Sequence, residues 1–160
     1  VSGTETAPSA VEARLAGLGI TLPAVAAPVA SYVPAVISGT FVYTSGQLPF
    51  IDGKLPATGK VGAAVDADTA QSLAATCAVN ALAAVKERIG DLDRVTRIVK
   101  VVGFVASDPS FTGQPVVING ASNLLGEVFG DAGVHARSAV GVAVLPLDAP
   151  VEVEMIVEFV

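Results

Sequence analysis

Val151-Glu152-Val153-Glu154-Met155-Ile156-Val157-Glu158-Phe159 alternates apolar and acidic side chains almost without a break. A period of two belongs to a strand with one covered and one open face. Val151, Val153, Met155, Val157 and Phe159 therefore turn to a core, and Glu152, Glu154 and Glu158 turn away from it. Just upstream, Ala136 to Val144 reads as another strand, joined to the first by Leu145-Pro146-Leu147-Asp148-Ala149-Pro150. A turn centred between Leu147 and Asp148 makes the two a hairpin, with Arg137 opposite Glu158 and Glu152 opposite Ala143. In that register Arg137 and Glu152 are separated by roughly 20 Å of strand. They share a site only across a subunit boundary, or if a bulge or another strand order changes the pairing.

Further out, the pattern switches between periods of two and 3.6. Ser9-Ala10-Val11-Glu12 has the form of a capping box and predicts a short N-terminal helix, with Gly17 and Gly19 as stops. Leu22 to Pro34 is a proline-rich connector, and strands are expected at Val33 to Ser38 and Thr40 to Gln47. Asp66 or Asp68 caps a helix in which Ala70, Leu73, Ala74, Cys77, Ala81, Leu82, Val85 and Ile89 recur at helical spacing, and Gly90 ends it. Val95 to Ala106 is a strand apolar enough to be covered on both faces. A second helix runs near Val116 to Phe129. The order (α)ββαβαββ predicts an α+β domain, a mixed sheet with two helices on one face.

Composition excludes several classes. Of 160 residues, 52% are hydrophobic and only 15% charged, which rules out intrinsic disorder. A net charge of −6 with nine Lys and Arg argues against a nucleic-acid partner, since phosphate neutralisation carries most non-specific affinity. Leu15 to Ile51 lacks any charge, but Pro23, Pro28, Pro34 and Pro49 break a membrane-spanning helix there, so no membrane partner is expected. The chain begins with a polar stretch, Ser2 to Thr6, without a basic leader; with one cysteine, this predicts a cytoplasmic protein. One cysteine and one histidine do not make the usual zinc cage. The apolar surplus predicts burial between subunits.

Few residues are suited to chemistry. Arg137 stands before an uncharged run from Ser138 to Leu147 and is the only Lys or Arg after Lys100. A guanidinium at the mouth of an apolar strand needs an anion, either a late glutamate of the protein or a ligand. Glutamates 152, 154 and 158 form a solvated face unless one is enclosed, where its pKa rises and it can move protons to and from water. His135 reads as a loop residue, Cys77 as a buried thiol, and Ser45 lacks a nucleophile-elbow context. Asn119-Gly120 is either a cap or a polar finger.

Ala136-Arg137-Ser138, Leu145-Pro146 and Val151-Glu152-Val153-Glu154, taken with Tyr32-Val33 and Thr44-Ser45-Gly46-Gln47-Leu48-Pro49, resemble the RidA/YjgF family over residues 28 to 160. Residues 1 to 27 lie outside the typical family domain, as an N-terminal helix and proline-rich extension. The resemblance implies a chorismate-mutase-like fold and a homotrimer with ligand clefts between subunits. It implies hydrolysis of reactive enamine and imine acids, such as 2-aminoacrylate, to 2-keto acids and ammonia, with no metal or cofactor. By position, Arg137 would grip a small carboxylate, Glu152 would activate water, the backbones of Gly46 and Ala139 would touch the ligand, and Tyr32 and Asn119 would line the cleft. Ala139 replaces a common cysteine, His135 a common proline, and the span from Asn119 to Arg137 is one residue longer than usual, as in a divergent branch. A non-catalytic carboxylate sensor is the alternative. The family has also carried a ribonuclease label, which the acidic charge and single histidine disfavour.

Overall fold

Alternation marks a strand with one covered and one open face, and in the computed structural model, which describes residues 9–25 and 31–160, the C-terminal strand has a neighbour on each side and a core beneath it. The elements are α1 (Ala10–Gly17), β1 (Ala35–Ser38), β2 (Phe41–Thr44), α2 (Ala67–Ile89), β3 (Val95–Ala106), α3 (Gln114–Phe129), β4 (Ala136–Val142) and β5 (Val151–Phe159). They build one mixed five-stranded sheet in the order β1-β2-β5-β3-β4. Part of the proline-rich connector, 26–30, lies outside the described residues, as does the polar start, Ser2 to Thr6.

The expected hairpin of the last two strands is not formed. β4 pairs in parallel with β3, Arg137 lying beside Val101, whereas β5 pairs antiparallel with both β2 and β3, Glu152 lying beside Phe104. The physical reason is the β3–α3–β4 unit. A strand, a long helix and a strand return the chain parallel to where it began, so β4 takes the free edge of β3. β5 then fills the slot between β2 and β3, where both its ladders are satisfied.

Helix limits follow local chemistry. Asp66 caps α2 by accepting from the Thr69 N–H at 2.7 Å, and Gly90 ends it at φ 85°. Lys86 and Arg88 occupy its last turn, where the helix dipole favours cations. α2 and α3 pack side by side so closely that a Cβ on Gly120 would stand 1.9 Å from the Gln71 carbonyl oxygen. Both helices cover one sheet face, burying Leu82, Val85, Leu125, Val101, Val105 and Met155. Among the described residues no helix covers the opposite face. Val36, Tyr43, Val102, Phe104, Val140 and Ile156 lie on it, partly or largely exposed.

α1 is fastened to this domain by polar contacts and two buried anchors, Val11 and Leu15. The Asp93 carboxylate accepts from the Ser9 hydroxyl at 2.7 Å and from the N–H groups of Ala10 and Val11 at 2.8 and 2.9 Å. Arg14 donates to the Val128 carbonyl, and Glu12 pairs with Lys86 rather than closing a capping box. The Val11 N–H, then the Ser9 hydroxyl and Ala10 N–H, hold the Asp93 carboxyl below its ordinary pKa. A depressed carboxyl stabilises the fold above its unfolded pKa of about 3.9, and this contribution is lost as pH falls through the lower folded value. Hydrogen exchange of α1 amides should therefore accelerate in that acid window ahead of α2 amides. Equal protection of both helices throughout would contradict the anchor.

Candidate functional site

Two clusters hold the residues singled out by sequence. The first forms where β2 leaves the sheet. Its ladder with β5 stops at Tyr43, the Thr44 hydroxyl accepts the Met155 N–H at 3.0 Å, and pairing resumes only between Gln47 and Val153. Ser45 and Gly46 are thus pushed out of the ladder. A Cβ on Gly46 would stand 1.9 Å from Oε1 of Glu152, so the absent side chain is the space the carboxylate occupies. On its other side Gly46 lines a cleft of about 630 Å³ together with Tyr32, Pro34, Leu48 and Phe50. Asn80 of α2 fixes that wall by donating to the carbonyls of Leu48 and Phe50 at 3.0 and 3.1 Å. Sequence reading missed Asn80, although a lone asparagine among the apolar and small residues of α2 was the available signal.

Glu152 lies behind Gly46 rather than in the cleft wall. It is half-buried, and burial, followed by the neighbouring Glu154 charge, pushes its carboxyl pKa up. Cys77 of α2 is fully buried beneath β5, and burial, then the charge of Glu152, raises its thiol pKa well above the ordinary value. A thiol kept protonated in this way is a packing residue.

The second cluster is at the β4 edge. Arg137 donates through Nη1 to Asn119 Oδ1 at 2.8 Å and to Ser122 Oγ at 3.2 Å, and through Nη2 to the Pro115 carbonyl at 3.3 Å. All three acceptors are neutral and belong to α3. Among the described residues the ion pairs are Lys60–Asp148 and Lys86–Glu12, so the expected alternative of a late glutamate as partner for Arg137 is not realised. The contacts leave one Nη2–H and the Nε–H, two donors of a fork suited to a carboxylate. Asn119 is thus a polar finger and not a helix cap; the cap position of α3 is Gly113. Ala139 follows on the same side of β4, beside Gly103.

Within one chain the clusters do not meet. Arg137 aligns with Val101 and Glu152 with Phe104, three positions apart on β3, so they emerge on opposite faces of the sheet. Tyr32 and Gly46 share the cleft, and Arg137 and Asn119 share a hydrogen bond.

Gly46→Ala tests the first cluster. The methyl group displaces the tip of a flexible side chain, so the fold survives while the carboxylate moves. If Glu152 moves protons in a reaction, turnover should fall roughly 100-fold, as for an ångström-scale misplacement of a reacting group, with the melting temperature nearly unchanged. Unaltered turnover would show that the position of Glu152 is unimportant.

This mixed sheet, with its helices on one face, has known counterparts. Residues 12–159 match the family described as "YjgF/chorismate mutase-like, putative endoribonuclease", and the chain belongs to that family. It is 50% identical over 149 residues to Protein TCP17 of Trypanosoma cruzi, covering 92% of this chain and 93% of that one. The crystal structure of Atu1372 from Agrobacterium tumefaciens, a protein of unknown function, is 53% identical with a TM-score of 0.89, covering 94% and 93% of the two chains. E. coli TdcF, solved with bound serine, is 27% identical with a TM-score of 0.61, covering 88% and 96%.

Proposed function

We propose that this protein hydrolyses small 2-enamine and 2-imine acids of the 2-aminoacrylate type to 2-keto acids and ammonia. The observation that carries the reading is Arg137, whose charge is matched among the described residues only by neutral acceptors that leave two of its donors over. Serine, the molecule bound to TdcF, has a carboxylate on a three-carbon skeleton, the chemical class such a fork would take.

Opposite sheet faces keep Arg137 and Glu152 apart in one chain, so the proposed site lies between subunits of a homotrimer. Arg137, Asn119 and Ala139 come from one subunit; Glu152, Gly46 and Tyr32 come from the next. The helix-free face bearing Val102, Phe104, Val140 and Ile156 is the apolar surface such an assembly would bury. In the reaction, a proton from solvent water adds to the enamine carbon and gives the iminium form. Water then adds to the imine carbon as Glu152 takes its proton. Glu152 returns that proton to nitrogen, and as the C–N bond breaks the hydroxyl of the intermediate gives its proton to Glu152, which passes it to the solvent; keto acid and ammonia leave. A half-buried carboxyl with a raised pKa suits both halves of the exchange.

The test is ammonia release from freshly generated 2-aminoacrylate, with light scattering on the same sample. Release above the uncatalysed rate by a particle of three times the monomer mass supports the proposal. Background release together with tight binding of 2-ketobutyrate would turn the reading to a carboxylate sensor, and a monomer would remove the intersubunit site.

A further inference from the structure

Sequence reading dismissed His135 as a loop residue, and it does lie in the loop before β4. Its ring is nevertheless held at both nitrogens. Nδ1 is 2.6 Å from the Gly133 carbonyl oxygen, and Nε2 is 2.9 Å from Ser122 Oγ. A carbonyl only accepts, so Nδ1 carries the proton, and in the neutral ring Nε2 presents its lone pair. The Ser122 hydroxyl must then donate to Nε2. With its proton committed there, its oxygen lone pairs remain for the Nη1–H of Arg137 at 3.2 Å. The chain of donors runs from Arg137 to Ser122, from Ser122 to His135, and from His135 to the Gly133 carbonyl.

We infer that Ser122 and His135 are positioning residues that set the orientation of the Arg137 guanidinium, a reading that rests on Arg137 as carboxylate anchor. Without an acceptor at Nε2, a serine on a helix turns its hydroxyl proton back to the carbonyl one turn earlier. Its oxygen then no longer holds a fixed direction toward Nη1. Asn119 and Pro115 still hold the guanidinium, but on one side only. The fork loses its fixed plane, which a bidentate grip on a carboxylate needs. Gly133 completes the arrangement. A Cβ there would stand 2.3 Å from the Leu125 carbonyl oxygen, so the turn carrying the His135 acceptor is pressed against α3, the helix that bears Ser122.

Calorimetry with 2-ketobutyrate on wild type, Ser122→Ala, His135→Leu, the double variant and His135→Gln tests this. Each single loss should weaken binding roughly tenfold, the worth of one hydrogen bond in the chain. The double variant should bind no worse than Ser122→Ala, because His135 acts only through that hydroxyl. His135→Gln, whose amide again offers both donors and an acceptor, should bind within about threefold of wild type. Wild-type affinity in His135→Leu, losses that add in the double variant, or equal weakness of the Leu and Gln variants would overturn the inference. If the wild type itself ignores the acid, the carboxylate reading fails separately. The relay is then judged by the Arg137 guanidinium NMR signals. His135→Leu should shift them, with no further shift in a Ser122→Ala background. Unmoved signals would overturn it.

Discussion

Arg137→Ala should abolish measurable binding of 2-ketobutyrate. The guanidinium already has its neutral partners, so its remaining donors and its charge are available to a carboxylate. In a site enclosed between subunits, losing a forked contact to a carboxylate costs about 2–5 kcal/mol, which is roughly 30-fold to several thousandfold in Kd. Arg137→Lys should fail nearly as badly, because an ammonium lacks the planar fork that both Asn119 and a carboxylate require. Titration calorimetry measures this directly. Equal affinity in wild type and Arg137→Ala would make the arginine a clamp between β4 and α3 and nothing more.

Glu152→Gln should give the opposite split, with affinity kept and most turnover lost. Glutamine fills the same space behind Gly46 but neither takes nor returns a proton. Because burial and Glu154 raise the Glu152 pKa, the folded state disfavours the carboxylate charge at neutral pH. The sign follows from linkage: a group with a raised folded pKa contributes stability below its unfolded pKa, and this is lost as pH rises through the folded value. The neutral amide should therefore leave thermal stability at pH 7 unchanged or higher. The acid limb of wild-type turnover should fall above the pH range of an ordinary glutamate. Loss of turnover accompanied by a lower melting temperature would instead mark Glu152 as a structural group.

Much of this was legible in the residues. The alternation of Val151 to Phe159, the Asp66 and Gly90 limits of α2, and the unbroken strand from Val95 to Ala106 are local signals, and local signals survive folding. The α1 cap at Ser9 was legible too, but its real partner was not. Asp93 lies 84 residues away, and no spacing rule reaches it. Strand order failed for a related reason. Two strands joined by a short turn-rich segment look like a hairpin, and nothing local says that β5 is claimed by β2 and β3. The β3–α3–β4 unit was a signal for a parallel edge, and it outweighs the turn. At the site, Arg137 stood out because a charge in an apolar run is conspicuous. Ser122 and His135 did not, since their roles exist only once α3 and the loop before β4 lie side by side. In the observed strand order Arg137 and Glu152 are kept apart within one chain by the two faces of the sheet, where a hairpin would have separated them by distance along the strands.

That division of labour can be measured in mixed assemblies. Arg137→Ala and Glu152→Gln subunits, each inactive alone, are unfolded together in equal amounts, refolded, and assayed for ammonia release from 2-aminoacrylate. If each site takes its arginine from one subunit and its glutamate from the next, random assembly restores both residues at about a quarter of the sites. The mixture should then recover about that fraction of wild-type turnover, while either variant refolded alone recovers none. A mixture as inactive as its components, with heterotrimers demonstrated by mass, would place both residues of a working site on one chain and contradict the account.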